Sequence, residues 1–298
     1  MNTASPAATR VISSRRSTWA RLTEIFRYRE LLIGMIRKDL KVRYKNSFLG
    51  FLWTMVNPAL YLLVFWLVFT KFLGSSVPDF PLYFLSGLLV WNLFSNGLAG
   101  ATGSVVGASG IVKKVYFPRE ILPLSAVGAA LVHFFLQGIV LVLAFLIFQH
   151  QIDWVNLWAL IPALLALLVF SAALGILFSA INVYMRDTQH LLELVLLAWF
   201  WMTPVVYAYM MVASKTVWVI DIWKMNPVIP SVLTFQRVLY NRTSYRGADG
   251  STVQILPPNA SIWWYVGHSA IVIAISIVLG YVAIRVFDRA EGNFAEEL

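Results

Sequence analysis

The sequence contains no cysteine, which excludes a disulfide framework, a thiolate metal site and a cysteine nucleophile. Charged residues are also scarce, at 12% of the 298 residues, whereas a typical soluble domain has about 25%. Hydrophobic residues make up 59% of the chain. A chain with so little charge is adapted to lipid, and we therefore predict an integral membrane protein.

Motifs for catalysis are missing as well. The phosphate-binding loop Gly-x4-Gly-Lys-Ser/Thr does not occur, because Gly110 and Lys113 lack its spacing. Acidic residues outside the terminal segments are scattered and form no spaced pair, which leaves a membrane enzyme without a catalytic site. An ion-coupled transporter would need charged residues in the middle of its spans, and the sequence has none there. We therefore expect a transport subunit with no catalytic residue, metal site or cofactor of its own.

Positive charge is concentrated before residue 50, and the net charge of the chain is +9. Residues 1–18, rich in Ser, Thr, Ala and Arg, predict a disordered basic tail. Residues 19–47 predict an amphipathic helix on the membrane surface, because Leu32, Ile36 and Leu40 share one helical face, with Leu31 and Met35 beside them. The charged residues of this interfacial helix are Arg29, Glu30, Arg37, Lys38, Asp39, Lys41 and Arg43. Anionic membrane lipids and a cytoplasmic position explain the charge better than nucleic acid does.

Residues 48–287 predict a transmembrane domain of six helices, so the expected fold class is all-α integral membrane. The predicted spans lie near 48–72, 80–103, 120–148, 157–184, 190–210 and 262–286. Their cores are nearly free of charged residues, each of which would cost about 2.5–3.5 kcal/mol at a helix centre. About 17 of the 23 Lys and Arg lie in the terminal segments and in the second and fourth connections. Both termini, including a tail at residues 288–298, are therefore expected in the cytoplasm.

The long connection after the fifth span contains apolar runs that are too short to cross a membrane. Residues 214–240 predict a re-entrant pair of short helices that dips into the outer leaflet or lies on it, broken at Pro227 and Pro230. The alternative is a cap that lies wholly outside the membrane. Residues 241–261 are polar and rich in turn formers, which predicts an exposed loop.

The second connection combines aromatic and charged residues. Residues 112–122 predict a short amphipathic helix on the cytoplasmic side, with Pro118 in a first helical turn. Tyr116 and Phe117 would anchor this helix in a partner, with charges pairing at the rim. Its charged residues are Lys113, Lys114, Arg119 and Glu120. The alternative is a positively charged loop that has no partner.

The fourth connection carries the pair Arg186–Asp187 immediately before the predicted fifth span. Asp187 is expected either to cap that helix at its N-terminus or to contact a partner protein. Two histidines, His133 and His268, lie in or near spans. Neither has an acidic partner at helical spacing, so we expect them to form hydrogen bonds between helices and not to relay protons.

Aromatic residues cluster in the first and fifth predicted spans. Flat aromatic faces bind sugar rings without fixed hydrogen bonds, which would allow a glycan to slide. Packing within the protein or a position at the membrane interface is the more ordinary explanation for any one of them. The candidates for lining a channel are Tyr61, Phe65, Trp66, Trp199, Phe200, Trp201 and Tyr207.

A group of motifs near the start of the chain carries a family resemblance: Tyr28-Arg29-Glu30-Leu31-Leu32, Arg37-Lys38-Asp39-Leu40-Lys41, Arg43-Tyr44-Lys45, Ser47, Leu49-Gly50, Trp53 and Pro58. This pattern resembles the start of the membrane permeases of ATP-binding-cassette (ABC) polysaccharide exporters. These Wzm-type permeases serve the export of O-antigen, teichoic acid, capsule and galactan.

The resemblance implies a division of labour between subunits. Two copies of a separate ABC ATPase would bind ATP and magnesium, and the permease would be a homodimer that passes a lipid-linked polysaccharide. Residues 112–122 would be the coupling helix, and Arg186–Asp187 a second contact with the ATPase. The first and fifth spans would line the channel, and the ATPases would push on the interfacial and coupling helices to alter the gate.

The expected function is therefore the permease subunit of an exporter for lipid-linked polysaccharide in the bacterial cytoplasmic (inner) membrane. A permease for small molecules or drugs is the alternative within the same class. An integral-membrane enzyme that acts on lipid-linked sugars is a further alternative.

Overall fold

The computed structural model describes residues 18–45, 50–72, 77–215, 218–246, 252–257 and 260–298. These residues are mostly helical, as predicted. The α-helices are α1 Thr18–Arg27, α2 Arg29–Tyr44, α3 Leu52–Trp66, α4 Phe80–Gly107, α5 Ser109–Val112, α6 Ile121–Ile147, α7 Leu160–Tyr184, α8 Thr188–Trp201, α9 Tyr209–Ala213, α10 Trp218–Lys224, α11 Ile229–Phe235, α12 Ile262–Glu291 and α13 Phe294–Glu297. A 3-10 helix at Trp154–Ala159 precedes α7, and π-helical turns at Leu67–Phe72 and Gln236–Tyr240 continue α3 and α11.

Four helical segments in the described ranges are long and apolar enough to cross a membrane. They are α4, α6, α7 together with the 3-10 turn before it, and α12. They correspond to the predicted second, third, fourth and sixth spans, so the predicted helical membrane fold is confirmed at this level. The first predicted span is the shorter helix α3 with its π-helical continuation, and the fifth is α8, which ends at Trp201. The total of six spans stays a prediction.

Helix α4 lies at the centre of the bundle. It packs against α6 and α7, and α7 packs in turn against α12. Small residues allow this close approach, because a Cβ atom added to Gly175 of α7 would lie 2.6 Å from Ala101 Cβ of α4. Helix α4 is buried on most of its surface, so its sequence is apolar on all sides and not amphipathic.

The predicted interfacial helix over 19–47 is divided into α1 and α2, with a turn at Tyr28. Residues 1–17 and 46–49 lie outside the described residues, and so does nearly all of the predicted basic tail. Helix α2 packs along α6, where a Cβ atom added to Gly128 would lie 2.5 Å from Ile36 Cδ1. The side of α2 that carries Met35 is therefore buried against the bundle, as its periodicity predicts.

The region after α8 is more structured than predicted. Helices α10 and α11 are separated at Asn226–Pro227 inside the predicted re-entrant segment 214–240, and α11 is buried throughout. The prediction of an exposed loop over 241–261 is wrong in part, because a hairpin pairs β1 Ser244–Arg246 with β2 Thr252–Gln254. Ile255 and Leu256 after the hairpin are fully buried, and apolar burial of this kind fixes the segment against the bundle.

The C-terminal residues also fold onto the bundle. The predicted tail at 288–298 comprises the last turn of α12 and the short helix α13. Phe294 is fully buried and packs edge-to-face against Phe287, with ring centroids 5.3 Å apart. The segment is therefore not a free tail, because an aromatic side chain removed from water holds it in place.

Candidate functional site

The segment Lys113–Glu120 connects α5 to α6 and is not helical. The prediction of a helix over 112–122 is wrong, because α5 ends at Val112 and α6 begins at Ile121. Pro118 explains the break, because it has no N–H to donate to an upstream turn and disfavours helical backbone in the residue before it. The Pro118 carbonyl instead accepts a hydrogen bond from Ile121 N, at 3.1 Å, at the start of α6.

The two aromatic residues of this segment lie in different environments. Tyr116 is 76% exposed, whereas Phe117 is 3% exposed. Phe117 belongs to an apolar cluster with Met35 of α2, Ile121 of α6 and Phe287 of α12. The prediction that both rings anchor in a partner is therefore wrong for Phe117, which holds the segment onto its own bundle. Tyr116 remains available to a partner.

A buried ion-pair cluster lies directly beneath the segment. The Glu120 side chain is fully buried and accepts a hydrogen bond from Arg21 of α1. Arg21 also pairs with Asp288, and its Nη2 lies 2.8 Å from Glu291 Oε2 near the end of α12. Arg119 Nη1 donates to the Glu291 carbonyl at 2.9 Å. The N-terminal helix, the connecting segment and the end of α12 are thus joined through one set of charges, which we call the Arg21 cluster.

The electrostatics of this cluster reflect burial. Burial raises the pKa of Glu120, although the charge of Arg21 opposes that shift. Burial would lower the pKa of Arg21, but the carboxylates of Glu120 and Glu291 outweigh it and raise that pKa. Two buried atoms of the cluster, Arg21 Nε and Glu120 Oε2, have no hydrogen-bond partner within the described part of the chain. Arg21 and Glu120 therefore each stabilise the charged form of the other.

The other charged residues predicted to contact an ATPase lie on the surface. Lys113 and Lys114 are exposed beside Tyr116, and Arg186 and Asp187 are exposed between α7 and α8. Asp187 precedes α8 but forms no side-chain capping hydrogen bond with the described residues, because its backbone is helical whereas a capping residue has non-helical, usually extended, backbone. A contact with a partner protein is the expectation that remains for this pair.

The charged residues predicted on the interfacial helix are exposed along α2, from Arg29 to Arg43. Arg29 lies over the ring of Phe26, with its Cζ 5.5 Å from the centroid. Arg43 and Tyr44 at the other end of the helix contact His133 of α6. These contacts confirm the expectation that His133 forms hydrogen bonds between helices. The same expectation is wrong for His268, whose Nδ1 bonds the Trp264 carbonyl one turn back in its own helix, α12, at 2.8 Å.

Two of the seven predicted channel-lining aromatics present largely exposed rings. Tyr61 is 42% exposed and Trp201 is 61% exposed. Phe65 is stacked on Phe84 with centroids 3.9 Å apart, and Phe200 packs against Trp91 at 5.5 Å. The partly buried Trp66 lies near Lys71, and Tyr207 donates its hydroxyl hydrogen to the Trp201 carbonyl at 2.9 Å.

Trp199 is held inside the bundle by a polar contact. Its Nε1 donates to Asn226 Oδ1 at 2.9 Å, and Asn226 Nδ2 donates to Thr203 Oγ1 at 3.1 Å. Val228 N also donates to Asn226 Oδ1, at 3.0 Å. Asn226 therefore ties the end of α8 to the loop between α10 and α11, and the Trp199 indole N–H is used in that structural contact.

Several of these residues were not among the predicted site residues. Arg21 lies within the predicted interfacial helix, but its helical face gives no indication of a buried pair. Asp288 and Glu291 stand three residues apart and so share one face of α12, which is the one local signal for a common partner.

Comparison with known proteins finds one matching family and several similar transport proteins. A family model described as ABC-2 type transporter matches residues 30–240. The O-antigen export system permease protein RfbA of Myxococcus xanthus is 32% identical over 276 residues, which cover 92% of this chain and 98% of that protein. A protein of the same description from Klebsiella pneumoniae is 28% identical over 272 residues, covering 90% and 95% respectively. The polysialic acid transport protein KpsM of Escherichia coli is 22% identical over 202 residues, covering 66% and 76%.

Proposed function

The chain belongs to the ABC-2 type transporter family, and on that premise we propose that it is the permease subunit of an ABC exporter of polysaccharide. The observation that carries this function is similarity to an O-antigen export permease over nearly the full length of both chains. The four long apolar helices support the same function, because a permease must cross the bilayer to supply a path through it.

Energy comes from a separate ATPase subunit, because the sequence has no phosphate-binding loop. The ATPase docks against the segment Lys113–Glu120, where Tyr116 is the exposed aromatic anchor between cations. The apolar contacts of Phe117 and the Arg21 cluster hold that segment on the bundle, so a push on it moves α1, α6 and α12 together. Each ATPase uses ATP and magnesium, and two copies serve one exporter.

The assembly is a homodimer with the polysaccharide path between its protomers. Support comes from α3 and α8, which carry exposed apolar side chains including Leu60, Leu63, Leu194 and Leu197. The same two helices carry the exposed rings of Tyr61 and Trp201. A two-fold symmetric dimer is the commonest form of protein oligomer. In this assembly α3 and α8 act as the first and fifth of six spans.

The exporter works in the bacterial cytoplasmic membrane with both termini inside, as the distribution of Lys and Arg indicates. Its cargo is a polysaccharide that remains attached to a lipid carrier. Depletion of the chain in its host tests the function: we expect surface polysaccharide to fall and lipid-linked glycan to accumulate on the inner leaflet. Unchanged surface polysaccharide after full depletion would refute the proposal. Restoring the chain must restore the polysaccharide.

A further inference from the structure

A polar groove runs beside α2 on the surface of the bundle and reaches the middle of the lengths of α4 and α6, where Arg43 and Asn96 are exposed and His133 is buried. It consists of two cavities of about 310 Å³ and about 360 Å³ that share Arg43, Asn96 and His133. The first cavity follows α2 past Lys38 and the glycine-rich end of α4. The second continues to Thr54 and its neighbours at the start of α3. We refer to the two cavities together as the polar groove.

The inner end of the groove lies far from the ends of the spanning helices. At 1.5 Å per residue, His133 is about 18 Å from Ile121 and about 21 Å from Ile147, the two ends of α6. Asn96 is about 24 Å from the first residue of α4 and about 17 Å from its last. Polar groups at such a depth are unfavourable in hydrocarbon, and they usually mark the path of a substrate or ion.

Hydrogen bonds fix the orientation of the cation in the groove. Arg43 can only donate, so His133 Nε2, at 3.2 Å from Arg43 Nη1, accepts. His133 Nδ1 then carries the hydrogen and donates to Tyr44 Oη at 2.9 Å, and the Tyr44 hydroxyl donates to Thr54 Oγ1. A neutral histidine thus positions the guanidinium without neutralising it.

The groove carries a net positive charge. Its charged lining residues are Lys38, Asp39 and Arg43, two cations and one carboxylate. No carboxylate of the described residues forms a salt bridge with Arg43, and the carboxylate of Asp39, four residues before it on α2, interacts with its charge across the cavity wall. Asn96, Gln137 and Thr54 add hydrogen-bonding groups around the guanidinium. An arginine that a neutral histidine orients, in a polar cavity where cations outnumber carboxylates, is suited to phosphate oxygens.

We propose that the polar groove binds the phosphate-bearing headgroup of the lipid-linked glycan, with Arg43 as its central contact. This inference rests on the proposed function, because it assigns the site to the cargo of the exporter. The reason is chemical: a phosphate cannot cross hydrocarbon without compensation for its charge, whereas neutral sugar rings can slide along aromatic side chains. The groove offers that compensation midway along α6.

Equilibrium binding to the purified full-length chain in phosphatidylcholine nanodiscs tests this site. The probe is radiolabelled farnesyl diphosphate, with farnesol as the uncharged counterpart. We expect saturable binding of the diphosphate that inorganic pyrophosphate displaces, and much weaker binding of farnesol. Arg43→Ala should weaken binding about 20-fold, because hydrogen bonds to charged groups are lost. The affinity of Arg43→Lys for the probe should lie between those of the wild type and Arg43→Ala, since lysine keeps the charge but not the planar pair of donors.

Arg37→Ala is the matched control, because Arg37 is an exposed cation on the same helix that lines neither cavity. Its affinity should stay within about twofold of the wild type. Equal affinities of the Arg43→Ala and Arg37→Ala variants would overturn the proposal, and so would farnesol binding as tightly as the diphosphate. Displacement of the probe by phosphatidylglycerol at equal concentration would also overturn it, since the groove would then be a general phospholipid site. Binding as expected in a chain that exports no polysaccharide would refute the proposed function alone.

Discussion

Arg21→Ala is the substitution that we expect to disturb the charged end of the bundle most. The change removes the cation that pairs with Glu120, whose side chain is fully buried, and with two carboxylates of α12. Removing one partner of a buried pair costs about 3–5 kcal/mol. Arg21 is itself 14% exposed and Glu120 can take up a proton, so we adopt the lower end of that range. A cost of about 3 kcal/mol corresponds to a local opening that is roughly 100-fold more frequent.

The effect should depend on pH. Burial raises the pKa of Glu120 while Arg21 opposes it, so removing Arg21 raises that pKa further. A carboxyl group whose pKa is higher in the folded chain than in the unfolded chain binds more protons when folded, and its contribution to stability falls as pH rises. The defect of Arg21→Ala relative to the wild type should therefore be larger at about pH 8 than at about pH 5.

Hydrogen exchange of the α1 amides is the suitable assay, because α1 carries Arg21. We expect exchange to accelerate roughly 100-fold in Arg21→Ala at about pH 8, with the middle of α6 unchanged. Arg27→Ala is the control, since Arg27 is exposed at the end of the same helix. Adding Glu120→Gln to Arg21→Ala should restore part of the protection by removing the buried charge. Equal exchange in Arg21→Ala and Arg27→Ala would refute the reasoning.

Three further predictions concern aromatic residues and their contacts. Tyr116→Ala should leave stability nearly unchanged but weaken pull-down of the ATPase, because Tyr116 is exposed. Phe117→Ala should cost about 3–5 kcal/mol of stability, because it leaves a cavity in a packed cluster. The reverse pattern in thermal unfolding and pull-down would contradict the roles given to the two rings. Trp201→Ala should slow glycan export while expression stays normal, whereas Trp199→Ala should lower the yield of folded protein. If the two variants behave identically in surface-glycan and expression assays, the exposed aromatic ring has no separate role in export. Asn226→Ala should destabilise the chain by about 1–3 kcal/mol, since it leaves the Trp199 Nε1 and Val228 N donors without their acceptor. An unchanged melting temperature would contradict this, because water would then satisfy both donors equally well.

The helical core could be predicted from the sequence because long uncharged segments have few alternatives. A run such as 121–147 must be a spanning helix, since only helices and closed barrels satisfy their backbone within lipid. The family resemblance added the separate ATPase and the polysaccharide. Similarity to O-antigen export permeases supports the same assignment.

The details of the coupling segment could not be predicted in the same way. Tyr116 and Phe117 are adjacent and chemically alike, yet one faces outward and the other inward. Their difference depends on the non-helical backbone of the segment and on the position of Phe287 and Phe294 far along the chain. The Arg21 cluster is similarly non-local, because it joins residues near both ends of the chain. Sequence periodicity reports one helix at a time and does not contain such pairings.

The measurement that tests the central claim most directly is transport by purified components. The chain is reconstituted with the proposed ATPase subunit from its host, in vesicles that contain lipid-linked polysaccharide from the same host. A glycosidase added outside the vesicles reports on which side the polysaccharide lies. The account predicts movement that requires ATP, magnesium and both subunits. Equal movement without ATP or without the ATPase subunit would contradict the claim that this chain is the permease of an ATP-driven polysaccharide exporter.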